Sequence, residues 1–518
     1  MHRSKHGLIV FALALATTSC GGGGGGARTS TVPGAVATPG ASLPALPAIP
    51  EVTSANGVAT VALRAALDAS GRPQLYFQGN PVAPTIRVRP GDSIQLHYDN
   101  QLPITCGLGL ETDSNLHFHG LSSAPQVPGD EVLATKATPG ASSDYVVTIN
   151  PDQPPGLYWY HTHVHRLASW QVGNGMAGAI VVEGIANEVP SVTGLRERVI
   201  VLRDQPDDPD LQSVVRRTMN RRRALANRRP NEDVVSTPCQ TETDGKPLIN
   251  GVPLATIGIR PGERQLFRVL NASAHRHFDL QIDGQSLALV AQDGVPIGVY
   301  PGAPQTLTVP DVVIPPASRA EFVVTGGSAP TSLVSRCFDA GPTGDQNPQA
   351  VLAMLADDGG TQPAVRVRAP RAVRHVSFFR QTMPAPAAQR TIRFSEDANG
   401  FYMDGVAFAM DQPSAITAHS GTVEEWTVEN DTDEVHVFHI HQTHFVVEDV
   451  NGTANPTPHW VDNVDVPPIG HGVRGATHPG TIRVLIDFRD PIIRGTFLYH
   501  CHILDHEDNG MMAKITVI

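Results

Sequence analysis

No apolar run beyond the first twenty residues is long enough to span a bilayer, which excludes a protein built on membrane-crossing helices. Positive charge is in deficit. The 38 Lys and Arg face 50 Asp and Glu, and the formal charge of −12 argues against general affinity for nucleic acid. Charged residues make up 17% of the chain and aromatics 5%, while glycines number 48 and prolines 44. That balance fits an all-β protein with many turns. A length of 518 residues suggests about three domains.

The N-terminus reads as an export signal. His2, Arg3 and Lys5 precede an apolar stretch from Leu8 to Ala16, then small residues and Cys20. Six glycines and a Pro/Ala/Thr-rich tract follow, running to Pro50. This pattern looks like a bacterial lipoprotein signal over 1–20, with Cys20 as the lipidated residue and 21–50 as a flexible tether. Thr17 stands where such signals usually carry Leu, and ordinary cleavage with Cys20 incidental is the other reading. Either one places the mature chain outside the cytoplasm, in the cell envelope.

An internal repeat is visible over residues 86–100, 259–271 and 421–430. In each copy a glycine turn (Gly91, Gly262, Gly421) leads into an alternating strand that ends in asparagine (Asn100, Asn271, Asn430). Period-2 alternation marks a sandwich strand with one buried face. The copies imply three β-sandwich domains, near 51–190, 191–365 and 366–518. One segment departs from the pattern. Residues 208–230 carry Arg216, Arg217, Arg221, Arg222, Arg223, Arg228 and Arg229 with interspersed apolar residues, and have helical character. A solvated basic helix or mobile insertion is one reading; a flap near the substrate entrance, or a patch that touches anionic envelope surface, is the other.

The chemistry is concentrated in four histidine clusters. They are His117-Phe-His119-Gly120, His161-Thr-His163, His436-Val-Phe-His439-Ile-His441 and His500-Cys501-His502. On a strand, alternate residues share a face. Each His-X-His pair therefore presents two imidazoles together, whereas Cys501 points away from His500 and His502. His436 has the opposite parity to His439 and His441. His506 and Met511 follow Cys501 at five and ten residues. A thiolate, two imidazoles (His436, His506) and a thioether (Met511) suit a trigonal copper site with a weak axial ligand. The other four pairs give eight imidazoles for one buried multinuclear centre.

These four motifs, in this order, resemble the multicopper oxidases, the group that contains laccases, bilirubin oxidases and bacterial copper-resistance oxidases. The resemblance implies three cupredoxin-like Greek-key sandwiches and four copper ions. His436, Cys501, His506 and Met511 would hold a type 1 copper. His117 and His439 would hold a type 2 copper, and His119, His161, His163, His441, His500 and His502 a type 3 pair. It further implies one-electron oxidation of phenols or similar aromatic donors, coupled to four-electron reduction of dioxygen to water. Oxidation of Cu(I), Fe(II) or Mn(II) is the alternative. Methionine is scarce, nine in all, and apart from the adjacent Met511-Met512 only Met403 and Met410 lie near one another, which weighs against a dedicated cuprous oxidase. A non-catalytic copper-binding or assembly scaffold of the envelope is a remoter reading.

Glu507 looks like the carboxylate that relays protons in similar bacterial enzymes; its other reading is a partner that orients an imidazole. Asp130 reads as a second acid near the oxygen route, or as a residue of the Pro128-Gly129 turn. His165 and His444 exceed the family pattern and read as surface, core or supporting residues. Asp462, in Trp460-Val-Asp462-Asn, leaves a turn, a core hydrogen bond and a contact near the type 1 copper all open. The middle domain carries no ligand motif and reads as a spacer that shapes the substrate face, and the multinuclear centre is expected between the first and third domains, since each supplies four of its eight imidazoles. Of Cys106, Cys239 and Cys337, the last two fall in one domain and form the preferred disulfide. The chain is expected to act as a monomer.

Overall fold

The repeated glycines lay down the fold. Gly91, Gly262 and Gly421 lie at φ +88°, +72° and +88°, a region in which a Cβ is disfavoured. They open the strands Ser93–Asn100, Arg264–Asn271 and Val423–Asn430. Each of these runs parallel to the first long strand of its unit, namely Val58–Leu67, Arg196–Pro206 and Ala388–Asp397. Each is antiparallel to a later strand on its other side: Ser142–Thr148, Arg319–Thr325 and Gly480–Asp487. The terminal asparagine has one job in all three copies. Its Oδ1 accepts the N–H two residues on, at Leu102 (3.0 Å), Ser273 (3.0 Å) and Thr432 (2.9 Å), while its Nδ2 donates to a carbonyl far along the chain, at Ala137, Ile314 and Val466. The sequence repeat is thus a repeated corner, in which a buried amide satisfies main-chain groups the turning strand leaves open.

The computed structural model describes residues 43–104, 112–227, 245–359, 365–367, 378–471 and 477–518, with the backbone alone at 218, 221–227, 471 and 477. It holds three two-sheet β-sandwiches, as the repeat and the resemblance imply. The first pairs two four-stranded sheets, the second an eight- and a five-stranded sheet, and the third a seven- and a five-stranded sheet. Each sandwich has its own apolar core, built around Ile86, Leu96 and Tyr98, around Ile257, Phe267 and Phe322, and around Trp426, Phe438 and Val484. No helix among the described residues is long and apolar enough to cross a membrane.

Two features depart from expectation. Residues 43–50, which the sequence places in the tether, are strapped to folded parts. Ala45 bridges Thr256, and the Pro50 carbonyl accepts Thr85 N–H at 2.8 Å. The arginine-rich segment is the helix Leu211–Asn227, held on its inner side as well as solvated. Arg217 pairs with Asp505, whereas Arg216 pairs with the exposed Asp208. The side chains of Arg221, Arg222 and Arg223, and all of Arg228 and Arg229, lie outside the described residues. So do the signal over 1–20, Cys20, Cys106 and Cys239. Cys337 is disulfide-bonded.

Candidate metal centre

Strand pairing places the thiol. Gly495–Cys501 runs antiparallel to His436–Ile440, with Phe438 opposite Cys501 and His439 opposite His500. Cys501 then falls into the apolar core of the third sandwich, and its neighbours His500 and His502 point the other way. On the core side, Cys501 Sγ lies 3.4 Å from His436 Nδ1 and 3.7 Å from His506 Nδ1, and the two nitrogens are 3.0 Å apart. A point equidistant from all three sits about 2 Å from each, the length of a metal–nitrogen bond. Each ring is held from behind. His436 Nε2–H donates to Thr432 Oγ1 at 2.9 Å, and Glu434 Oε1 is 3.4 Å from His506 Nε2. Both Nδ1 lone pairs are therefore aimed at the gap. Met511 is fully buried in the same cluster, tied by Met511 N–H to His506 O (2.9 Å) and by Cys501 N–H to Met511 O (3.1 Å). Met512 packs elsewhere, against Val132, Phe408 and Leu498.

On the opposite face the eight remaining imidazoles meet, each 2% exposed or less. A two-way backbone bridge fixes His117 beside His161 in the first sandwich, at 2.8 and 3.0 Å. Rings from the third sandwich stack onto those of the first: His441 on His117 with centroids 3.8 Å apart, and His439 on His119 at 3.9 Å. Three Nε2 atoms, of His163, His441 and His500, converge at 3.1 to 3.3 Å. His502 closes the group, its ring 5.1 to 5.4 Å from those of His119, His161 and His439.

Hydrogen bonds at the rear set which nitrogen faces inward. Nδ1–H of His161, His439 and His500 donates to the carbonyls of Thr162, Asp462 and Cys501 at 3.0, 2.7 and 3.0 Å. His117 Nδ1 sits 3.0 Å from Asp130. All four thus turn Nε2 toward the centre. His119 is reversed. Its Nε2 faces Asp462 Oδ1 at 3.3 Å and Nδ1 is left for the centre, where it has no protein partner among the described residues.

Burial, reinforced by neighbouring imidazoles, holds His119, His161, His163, His439, His441 and His502 well below the usual histidine range. Burial pushes His500 down to about 3. These rings are neutral at ordinary pH and carry lone pairs, the state a metal requires. Burial pushes the Cys501 thiol up, so a nearby cation is what would make it a thiolate. Inward lone pairs without a protein partner among the described residues, as at Nε2 of His117, His161 and His439 and Nδ1 of His119, are costly in a core. One thiol, ten imidazoles and a thioether form a donor set fitted to copper.

The middle sandwich proves to be more than a spacer. Arg319, fully buried, forks onto Asp462 with 2.7 and 2.6 Å hydrogen bonds and also donates to Leu157 O at 3.1 Å. Leu157 lies on the strand that carries His161. Asp462 holds His119 through Oδ1 and His439 through its carbonyl. Asp293 closes the group from the middle sandwich, accepting Arg319 N–H at 2.8 Å and the N–H groups of Asp462 and Asn463 at 3.3 Å. His444 joins it with Nε2 3.2 Å from Asp293 O. The fit explains Gly120, where a Cβ would come within 2.5 Å of Asp462 and 2.6 Å of Arg319. Neither Arg319 nor Asp293 lies in a motif; the glycine after the first pair was the only local trace. His165 stays outside the centre, with its ring against Phe408.

Of the two acids, Glu507 is fully buried, with its oxygens 3.6 Å from His163 Nδ1 and 3.3 Å from His500 Nδ1. Burial and the neighbouring Asp508 carboxylate push it well up. Asp130 does belong to its turn through Asp130 N–H to Ala124 O, yet its carboxylate is buried against His117.

Known proteins agree with this architecture. The multicopper oxidase family models match residues 62–187, 214–356 and 380–518. A multicopper oxidase of Staphylococcus aureus is 24% identical over 451 residues, covering 86% of this chain and 83% of its own length. The cell division protein FtsP of Escherichia coli is 24% identical over 467 residues, covering 85% of this chain and 84% of its own. Among solved structures, a multicopper oxidase from Campylobacter jejuni described as a metallo-oxidase superposes with a TM-score of 0.66 at 22% identity, over 92% of this chain and 96% of that one.

Proposed function

The chain belongs to the multicopper oxidase family, and on that premise we propose that it oxidises phenols or similar aromatic donors one electron at a time and reduces dioxygen to water. The convergence of the His163, His441 and His500 Nε2 atoms within 3.3 Å, on the face opposite the Cys501 thiol, carries this reading. His436, Cys501, His506 and Met511 would hold the type 1 copper, His117 and His439 the type 2 copper, and His119, His161, His163, His441, His500 and His502 the type 3 pair. Four bound copper ions would supply one-electron acceptance at the thiolate and four-electron reduction of dioxygen at the imidazole centre.

The protein's own part is connection, protons and shielding. Cys501 joins the two donor sets covalently, through main-chain bonds to His500 and His502. His500 Nδ1–H to Cys501 O closes a short link across that junction, at 3.0 Å. Glu507, pushed up by burial and by Asp508, stands at two imidazoles and is placed to pass protons for water formation; Asp130, at His117, is a second carboxyl so placed. The three-sandwich seam excludes bulk water from all eight rings.

On the donor side, oxidising a phenol releases a proton with the electron. Glu434, buried 3.4 Å from His506 Nε2, is a carboxylate placed to take it. The same acid would also favour a cation, so metal-ion oxidation is the second reading. The likeness to a cell division protein keeps a non-catalytic scaffold as a third, but all twelve donor positions are filled here. One chain supplies every donor, which supports a monomer. Location outside the cytoplasm and attachment through Cys20 rest on the N-terminal sequence. An oxygen-electrode screen of copper-loaded protein against a phenol, a bulky dye, Cu(I), Fe(II) and Mn(II) decides among these readings. Uptake with the phenol is expected. Uptake with metal ions alone selects the second reading, and none with four coppers bound selects the third.

A further inference from the structure

Gln442 directly follows the ligand candidate His441, is 2% exposed, and has φ +65°. That backbone region suits glycine, and a bulky residue occupies it only where its surroundings impose it. Here the surroundings are polar and come from the other end of the chain. Gln442 Nε2 donates to Asp130 Oδ2 at 2.9 Å and to Asp130 O at 3.3 Å, and Ser123 Oγ–H donates to Gln442 Oε1 at 3.0 Å. The other carboxylate oxygen of Asp130 accepts Phe118 N–H at 3.0 Å and lies 3.1 Å from His117 Nδ1. Those contacts leave His117 Nε2 facing the centre with no protein partner among the described residues. The path then closes on itself, because His117 stacks on His441 at 3.8 Å.

We propose that Gln442 is a positioning residue for the type 2 site: its amide fixes the Asp130 carboxylate, and through it the tautomer and orientation of His117. The inference rests on the reading that His117 holds copper. One side chain thereby sets the register between the first and third sandwiches at the point where each contributes a type 2 ligand. Phe118 N–H anchors one oxygen of Asp130; a carboxylate held only there could pivot about that contact and let His117 turn. An amide that donates to the other oxygen removes that freedom. A role confined to satisfying a buried carboxylate would affect stability alone. A positioning role affects one metal and spares the other.

The test uses the full chain carrying Gln442→Gly and, separately, Gln442→Glu. Glycine accepts the left-handed backbone without strain, so any fall in melting of the copper-free variant reports only the lost buried hydrogen bonds and side-chain volume, and the metal readouts are taken at a temperature where both proteins are folded. Glutamate keeps the length but loses the donor and sets a second carboxylate against Asp130. The readouts are chelator competition, copper per chain, the type 2 electron paramagnetic resonance spectrum and the blue absorption of the thiolate site. Loss of a supporting partner costs about 10–100-fold in metal affinity. Both variants should release one copper that much more readily and show an altered type 2 spectrum, with blue absorption unchanged. Parental chelator curves and spectra in both variants would overturn the proposal, as would equal weakening of the blue site. A parent that lacks a type 2 signal would instead overturn the assignment of His117.

Discussion

Arg319→Met is the substitution that most directly probes how the three sandwiches hold one centre. The change keeps side-chain bulk and removes the guanidinium. Asp462 then loses both forked hydrogen bonds and its counter-charge, at a site where arginine and both aspartates (Asp293 and Asp462) are fully buried. Breaking a buried pair from one side costs about 3–5 kcal/mol, because the remaining charge stays desolvated. For a cooperative unit of about 150–250 residues, each kcal/mol lowers Tm by about 2–4 °C. The expected fall is therefore about 6–20 °C, read by calorimetry on copper-free protein. Asp462 also carries contacts to His119 and His439, so copper retention should weaken about 10–100-fold in a chelator titration. The double variant Arg319→Met with Asp462→Leu separates the two effects. Removing both charges should restore much of the stability, since buried pairs contribute little beyond apolar packing. It should not restore copper retention, because His119 still lacks its acceptor. A single variant that melts within about 2 °C of the parent and keeps its copper would refute the account of the middle sandwich.

Three further outcomes follow from the same geometry. Glu507→Gln should slow oxygen reduction while leaving the blue absorption intact; parental turnover in steady state would remove Glu507 as a proton donor. Met511→Leu should raise the potential of the thiolate site in a redox titration, and an unchanged value would take Met511 out of the axial position. Asp293 is pushed up to about 7 by burial and by the Asp462 charge, against the pull of Arg319. Folded protein thus keeps a proton there that the unfolded chain releases above about 4, so this contribution to stability falls as pH rises from about 4 to about 7. Asp293→Asn should flatten that part of the pH–Tm curve, and an unchanged slope would show that another group governs it.

The sequence by itself determined the repeat and the donors. Strand parity alone separates Cys501 from His500 and His502, and His436 from His439 and His441, because alternation is a local property of extended backbone. The Gly91, Gly262 and Gly421 turns are legible for the same reason, as is the half of each asparagine corner in which Oδ1 accepts the N–H two residues on. What tertiary structure alone decided is how those donors are held. Arg319 reaches Asp462 across 143 residues, Gln442 reaches Asp130 across 312, and Asp462 reaches His119 across 343. Nothing in the local spacing of these residues encodes a partner so far away. The reversed ring of His119 is likewise set by an acceptor from another sandwich, since an imidazole offers inward whichever nitrogen its outer neighbour leaves free.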